Sequence, residues 1–119
     1  MAKYTASHYQ TAFHEADTAF KTGNTQQAID RLSSDHGIER GTAQAFVSCY
    51  ARMMKGMVYK RGLSELATET FLKGIKAKHG REAFRRGIDS ARLHLAYRES
   101  LGHHLPGLQT TVDRLAEQM

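Results

Sequence analysis

Residues 41–60, Gly-Thr-Ala43-Gln-Ala-Phe46-Val47-Ser-Cys49-Tyr50-Ala-Arg52-Met53-Met54-Lys55-Gly56-Met57-Val-Tyr59-Lys60, decide the fold class. At 100° per residue, Ala43, Phe46, Val47, Tyr50, Met53, Met54 and Met57 fall within one arc of about 120°, a grouping that a strand's period of two does not produce. The spacing predicts a helix over about 41–60 with one long buried side. Its methionines read as flexible core filler, and Cys49, at the edge of the stripe, as a small buried hydrophobe. Gly56 inside such a helix costs about 1 kcal/mol relative to alanine, which points to a close helix contact.

The same period continues on both sides. Upstream, Tyr9, Phe13, Ala16 and Phe20 share a face of a helix over about 5–22, with Ser7-x-x-Gln10 at capping-box spacing and Gly23 as its stop. Asn24-x-x-Gln27 opens a second helix burying Ala28, Ile29 and Leu32, which Gly37 ends with Ile38 behind it. Downstream, Ser64 caps a helix over about 65–79, with Leu63 as its staple, Ala67, Phe71 and Ile75 inward and Gly80 at its end. Phe84, Ile88, Ala91 and Leu95 line a helix over about 81–101, stopped by Gly102. Pro106, the only proline, opens a last short helix with Leu108, Val112 and Leu115 inward. No segment alternates with period two. The expectation is an all-α, compact bundle of five to six helices in a single domain over 1–119.

A chain of 119 residues fits one domain and excludes enzymes with separate cofactor and substrate domains. No apolar run reaches the ~18 residues of a membrane span, and the first residues lack a signal peptide's apolar stretch. Cys49 alone forms no internal disulfide, so a cytoplasmic setting is expected. No Cys-x-x-Cys, His-Glu-x-x-His or glycine-rich phosphate loop occurs, so neither a metal nor a cofactor is expected.

The net charge of +5 is unevenly spread. Residues 1–51 sum to −1 and 99–119 to −2, whereas 52–98 carry twelve basic and four acidic side chains, a block of +8. Such a block favours a polyanion, although it also suits a plain solvated face. Its candidate contacts are Arg52, Lys55, Lys60 and Arg61, Lys73 and Lys76 on the outer side of the fourth helix, and Arg81, Arg85 and Arg92 within about 40° of one another on the fifth. Arg98 lies on the opposite flank of the fifth helix, and Arg86 is expected to point away from the core. Tyr59 and Tyr97 could stack on an unpaired base or pack at the core edge. Arg61-Gly62-Leu63-Ser64 matches a helix-turn-helix turn in part, but Thr68 then stands where a buried aliphatic residue belongs.

Two resemblances bear on function. Small all-α ribonucleases of the HEPN type place an Arg four to six residues before a His at a helix end, and Arg98 with His103 or His104 is similar to that pattern, as is Arg31 with His36. With ten Arg and seven His in 119 residues, chance supplies about two such matches. In that reading Arg98 would hold the scissile phosphate and His103 would be the general acid or base.

The order Phe46-Val47, Tyr50, Arg52-Met53-Met54-Lys55-Gly56, Tyr59-Lys60-Arg61, Leu63-Ser64, Ala67-Thr68 and Phe71-Leu72 forms a longer pattern. It continues with Ile75, Gly80, Arg92, His94, Tyr97 and Leu105-Pro106-Gly107-Leu108. Over about 46–108 it resembles the helical, non-catalytic region that precedes the nuclease module in some bacterial HNH-type restriction endonucleases. The resemblance implies a DNA-associated accessory module with contacts at Arg52, Lys55, Tyr59, Lys60, Arg61 and Ser64. The His-Asn-His metal constellation of the nuclease itself has no counterpart in the chain. The leading expectation is therefore a non-enzymatic helical domain that binds nucleic acid, DNA favoured. The alternatives are a phage- or plasmid-type adaptor or inhibitor that meets an acidic protein partner, and the HEPN-like ribonuclease. No membrane partner is expected, and an exposed apolar helix face would allow a homodimer.

Overall fold

The computed structural model describes residues 4–119. Among them are six helices and no strand: α1 (Ala6–Thr22), α2 (Thr25–His36), α3 (Arg40–Lys55), α4 (Glu65–His79), α5 (Arg81–Ser100) and α6 (Pro106–Ala116). The fold is all-α. Helices α1, α3, α5 and α4 pack in a ring, each against the next, with α2 laid over α1 and α3, and α6 over α4 and α5. No helix among the described residues is long and apolar enough to cross a membrane.

Aromatic side chains fill the ring. Tyr9 meets Phe46 edge-on, Phe13 meets Tyr50, and Phe46 and Tyr50 both meet Phe71 across the centre, with centroids 5.5–5.9 Å apart. Edge-to-face contacts at that distance are the favoured geometry for such rings. Met53 and Met54 fill the gaps between them, as the stripe on α3 requires. Gly74 is where α4 comes closest to α1: a Cβ there would lie 2.6 Å from the Phe13 ring.

One carboxylate lies inside this ring. Asp17 is fully buried, and its Oδ1 accepts hydrogen bonds from Tyr50 Oη at 2.8 Å and His79 Nε2 at 2.6 Å. Its Oδ2 faces Lys78 Nζ at 2.7 Å and Lys21 Nζ at 3.2 Å. Burial alone would raise its pKa, but the donors Lys78, His79, Tyr50 and Lys21 more than reverse this and hold the carboxyl far below its ordinary 3.8. Burial, with the same Asp17 contact, pushes the Tyr50 phenol up. Asp17 thus joins α1, α3 and α4.

Four sequence expectations need correction. Helix α3 stops at Lys55 rather than near residue 60, because Gly56 adopts φ 69°, a left-handed conformation that ends a helix. The N–H of Met57 then returns to the Arg52 carbonyl at 2.9 Å, and Met57 leaves the core stripe for solvent, 47% exposed. Phe20 likewise reaches the surface, where its ring only touches the edge of Tyr50. At the start of α1 the cap is Thr5 rather than Ser7, with the Thr5 N–H donating to His8 Nδ1 at 3.0 Å. Asn24 stands at the N-cap of α2, but its side chain makes no capping hydrogen bond.

Candidate nucleic-acid interface

The nine residues 56–64 that join α3 to α4 are irregular, so their backbone groups need partners outside a helix. Helix α5 supplies two of them, and also holds the end of α3, from one stripe at steps of four. Arg86 Nε donates to the Met54 carbonyl at 2.9 Å, Ser90 Oγ to Met57 O at 2.5 Å and His94 Nδ1 to Tyr59 O at 2.6 Å. Arg98 continues the stripe beside Gly62, where a Cβ would lie 3.1 Å from its guanidinium. Helix α3 completes the set, with Arg52 donating to Val58 O at 3.3 Å and the Cys49 thiol to Arg61 O at 3.6 Å. The connector is therefore strapped along α5 with its direction and register fixed. Arg86, expected to point away from the core, instead turns back to hold the end of α3.

Under the strap, the His94 and Tyr59 rings stack with centroids 4.3 Å apart. Because Nδ1 faces a carbonyl it carries the proton, and neutral His94 is then a bare acceptor at Nε2. His94 is fully buried, and that burial lowers its pKa below 6.5, with the nearby Arg98 charge acting in the same direction and the Tyr59 carbonyl opposing. Tyr59 is itself 1% exposed, which raises its phenol pKa. Its ring is therefore a core surface and offers no stacking platform to a base. Cys49 is buried beside it, and that burial pushes the thiol up to about 11 despite Arg61 and Arg52.

The strap leaves Lys60 and Arg61 facing solvent, as Arg52 and Lys55 do at the end of α3. Among the described residues, none of these four is in an ion pair. Lys60 Nζ rests over the Tyr97 ring, 5.5 Å from its centroid. Between α3 and the connector lies an open cleft of about 400 Å³, lined by Ser48, Cys49, Arg52, Val58, Lys60 and Arg61 with the Tyr59 backbone, and by no carboxylate.

The remaining expected contacts are placed differently. Lys73 pairs with Glu69 at 2.9 Å, and Arg85 with Glu82 and Asp89. Arg92 reaches Asp113 of α6 at 3.5 Å, and Lys76 donates to the Gln118 carbonyl while lying over Phe84. Arg81 stands beside Glu82 and Arg85 at the start of α5, about 25 Å along the helix from Arg98. Among the described residues the basic block thus divides into Arg52, Lys55, Lys60 and Arg61, which form no ion pair, and a group on α4 and α5 in which Lys73, Lys78, Arg85, Arg86 and Arg92 are paired with carboxylates and Lys76, Arg81 and Arg98 are not. Ser64 is the N-cap of α4: its Oγ accepts from the Ala67 N–H at 3.1 Å and donates to Tyr9 Oη at 3.3 Å. The nine-residue connector is also too long for the tight turn of a helix-turn-helix, and Thr68 is buried with its hydroxyl on the Ser64 carbonyl.

Arg98 and His103 have separate surroundings. The Arg98 guanidinium lies against Gly62, whereas exposed His103 lines a small cleft with Leu95, Glu99, His104 and Gln109. Among the described residues, no three His, Cys, Asp or Glu side chains come together closely enough to hold a metal ion.

No protein-family model, curated protein or solved structure matches the chain.

The interface is therefore judged on its own chemistry. Sequence reasoning singled out Arg52, Lys55, Lys60 and Arg61 but missed the stripe Arg86, Ser90, His94 and Arg98 that runs beside the connector. The signal was there, four polar residues at i, i+4, i+8 and i+12 on an otherwise ordinary helix, one of them a histidine beside the apolar face.

Proposed function

We propose that the chain is a non-enzymatic nucleic-acid-binding domain, DNA favoured, that contacts phosphates through Arg52, Lys55, Lys60 and Arg61. One observation carries the reading: Lys60 and Arg61 on the strapped connector, with Arg52 and Lys55 at the end of α3, form no ion pair among the described residues, while Lys73, Arg85 and Arg92 are paired with Glu69, Glu82, Asp89 and Asp113. A cation with no carboxylate partner gains a phosphate without first breaking an ion pair, and it releases the counterions held by the polyanion. The likeness to the helical accessory region of HNH-type restriction endonucleases supports the same reading, since Arg52, Lys55, Lys60 and Arg61 fall within it. On this reading the chain positions nucleic acid for a nuclease module that it does not itself contain.

Two triple variants of equal charge test the location. Lys55→Ala/Lys60→Ala/Arg61→Ala is expected to lose at least about tenfold in affinity for DNA, uniformly across sequences, as for the loss of phosphate contacts. Lys73→Ala/Arg85→Ala/Arg92→Ala is expected to stay within about threefold of the parent, because its cations are already paired. Equal losses would show that net charge, and not this surface, governs binding.

A second reading, an acidic protein partner, draws on a different feature. A groove of about 660 Å³ between α1 and α4 has exposed Leu66 and Ala77 in its lining together with Lys73 and Lys78. Capture of a partner from nuclease-treated lysate that is lost on Leu66→Asp but kept in the connector variant would favour it.

A further inference from the structure

The phosphate-binding reading leaves open whether the target is paired. We infer that the cleft between α3 and the connector takes a single unpaired nucleotide, so that the domain prefers single-stranded nucleic acid, or an extruded or terminal nucleotide, over intact duplex. This rests on the proposed function and narrows its substrate class.

The shape of the site is the first reason. Arg52, Lys60 and Arg61 line an open cleft of about 400 Å³, within the range of small-ligand sites. A duplex is a stiff cylinder whose bases are stacked inside it, and it can bring only its outer phosphates to such a rim. An unpaired nucleotide can place its phosphate among the three cations and lower its base between the helix and the connector.

The walls suit both halves of that ligand. Half-buried Val58 gives apolar surface, Ser48 is exposed on the α3 wall, and guanidinium planes from Arg52 and Arg61 are groups on which unpaired bases stack. With no carboxylate in the lining, nothing repels the phosphate. The connector wall is also fixed before any ligand arrives. Arg52, Ser90, His94 and Cys49 hold the carbonyls of Val58, Met57, Tyr59 and Arg61, so binding has little loop entropy to overcome.

Fluorescence anisotropy at one fixed salt concentration tests the inference with four probes: a short DNA single strand, the blunt duplex of the same length, a deoxynucleoside monophosphate as competitor, and inorganic phosphate as a second competitor. The single strand is expected to bind about tenfold more tightly than the duplex, and the monophosphate to compete better than phosphate alone. Ser48→Phe, which fills the cleft from an exposed helix position without changing charge, is expected to remove that preference by weakening the single strand about tenfold. Equal or tighter binding of duplex by the parent protein would overturn the inference and leave the proposed function standing, as would a preference unchanged by Ser48→Phe. Monophosphate and phosphate competing equally would reduce the cleft to a bare anion site and also overturn it. Failure of all probes to bind would overturn the proposed function itself.

Discussion

His94 lies flat against Tyr59 and donates from Nδ1 to the Tyr59 carbonyl, so the surroundings fit its neutral form. A second proton would place a buried charge close to Arg98. Its folded pKa is accordingly below the ordinary 6.5 that it regains on unfolding. Below 6.5 the unfolded chain therefore binds more protons than the folded one, and this part of the stability, complete above 6.5, is lost as the pH falls toward the folded value. Urea midpoints are expected to decline between about pH 7 and pH 5, and His94→Gln, which keeps a donor but does not titrate, is expected to flatten that decline. Parallel profiles for parent and variant would show that His94 does not report on the strap. Asp17 is the other buried ionisable residue of note. It follows Phe13 by one helical turn and so lies on the same inward face, but an acidic residue on an apolar stripe gives no sign of whether distant donors will meet it. Its partners Lys78 and His79 are more than sixty residues away.

At the level of elements, the helix limits that local chemistry sets were legible. Ser64 and Gly80 bound α4 as the sequence suggests, Pro106 opens α6, and Gly37 with Ile38 closes α2. Helix α3 ran past its true end in the sequence reading because the apolar period continues to Met57, whereas the stop is a single backbone conformation at Gly56. Gly56, read from the sequence as a close helix contact, instead ends its helix, and close helix packing occurs at Gly74. Gly56→Ala should therefore cost about 1 kcal/mol, since alanine pays for left-handed backbone. Gly74→Ala should cost more, about 1–3 kcal/mol, since its methyl would force the Phe13 ring aside in a packed core. Urea denaturation of the two single variants checks that order, and a neutral Gly74→Ala would contradict the tight contact between α1 and α4. The connector was not legible at all. Its support comes from backbone carbonyls 32 to 35 residues before their α5 donors, and carbonyls leave no mark in a sequence.

For the whole molecule, composition identified a +8 block but not how folding would distribute it. Folding brings carboxylates from both flanks to that block, Asp17 to Lys78 and Asp113 to Arg92, while Arg52, Lys55, Lys60 and Arg61 around the junction of α3 and α4 form no ion pair among the described residues. If that site binds nucleic acid, the number of phosphates it neutralises is small and countable. The most direct measurement is the affinity for a labelled single strand across a series of salt concentrations. Four contacts, from Arg52, Lys55, Lys60 and Arg61, predict that log K falls against log salt with a slope of about −3, reduced to about −1 in Lys55→Ala/Lys60→Ala/Arg61→Ala. A slope near zero, or one that the triple variant leaves unchanged, would contradict the account.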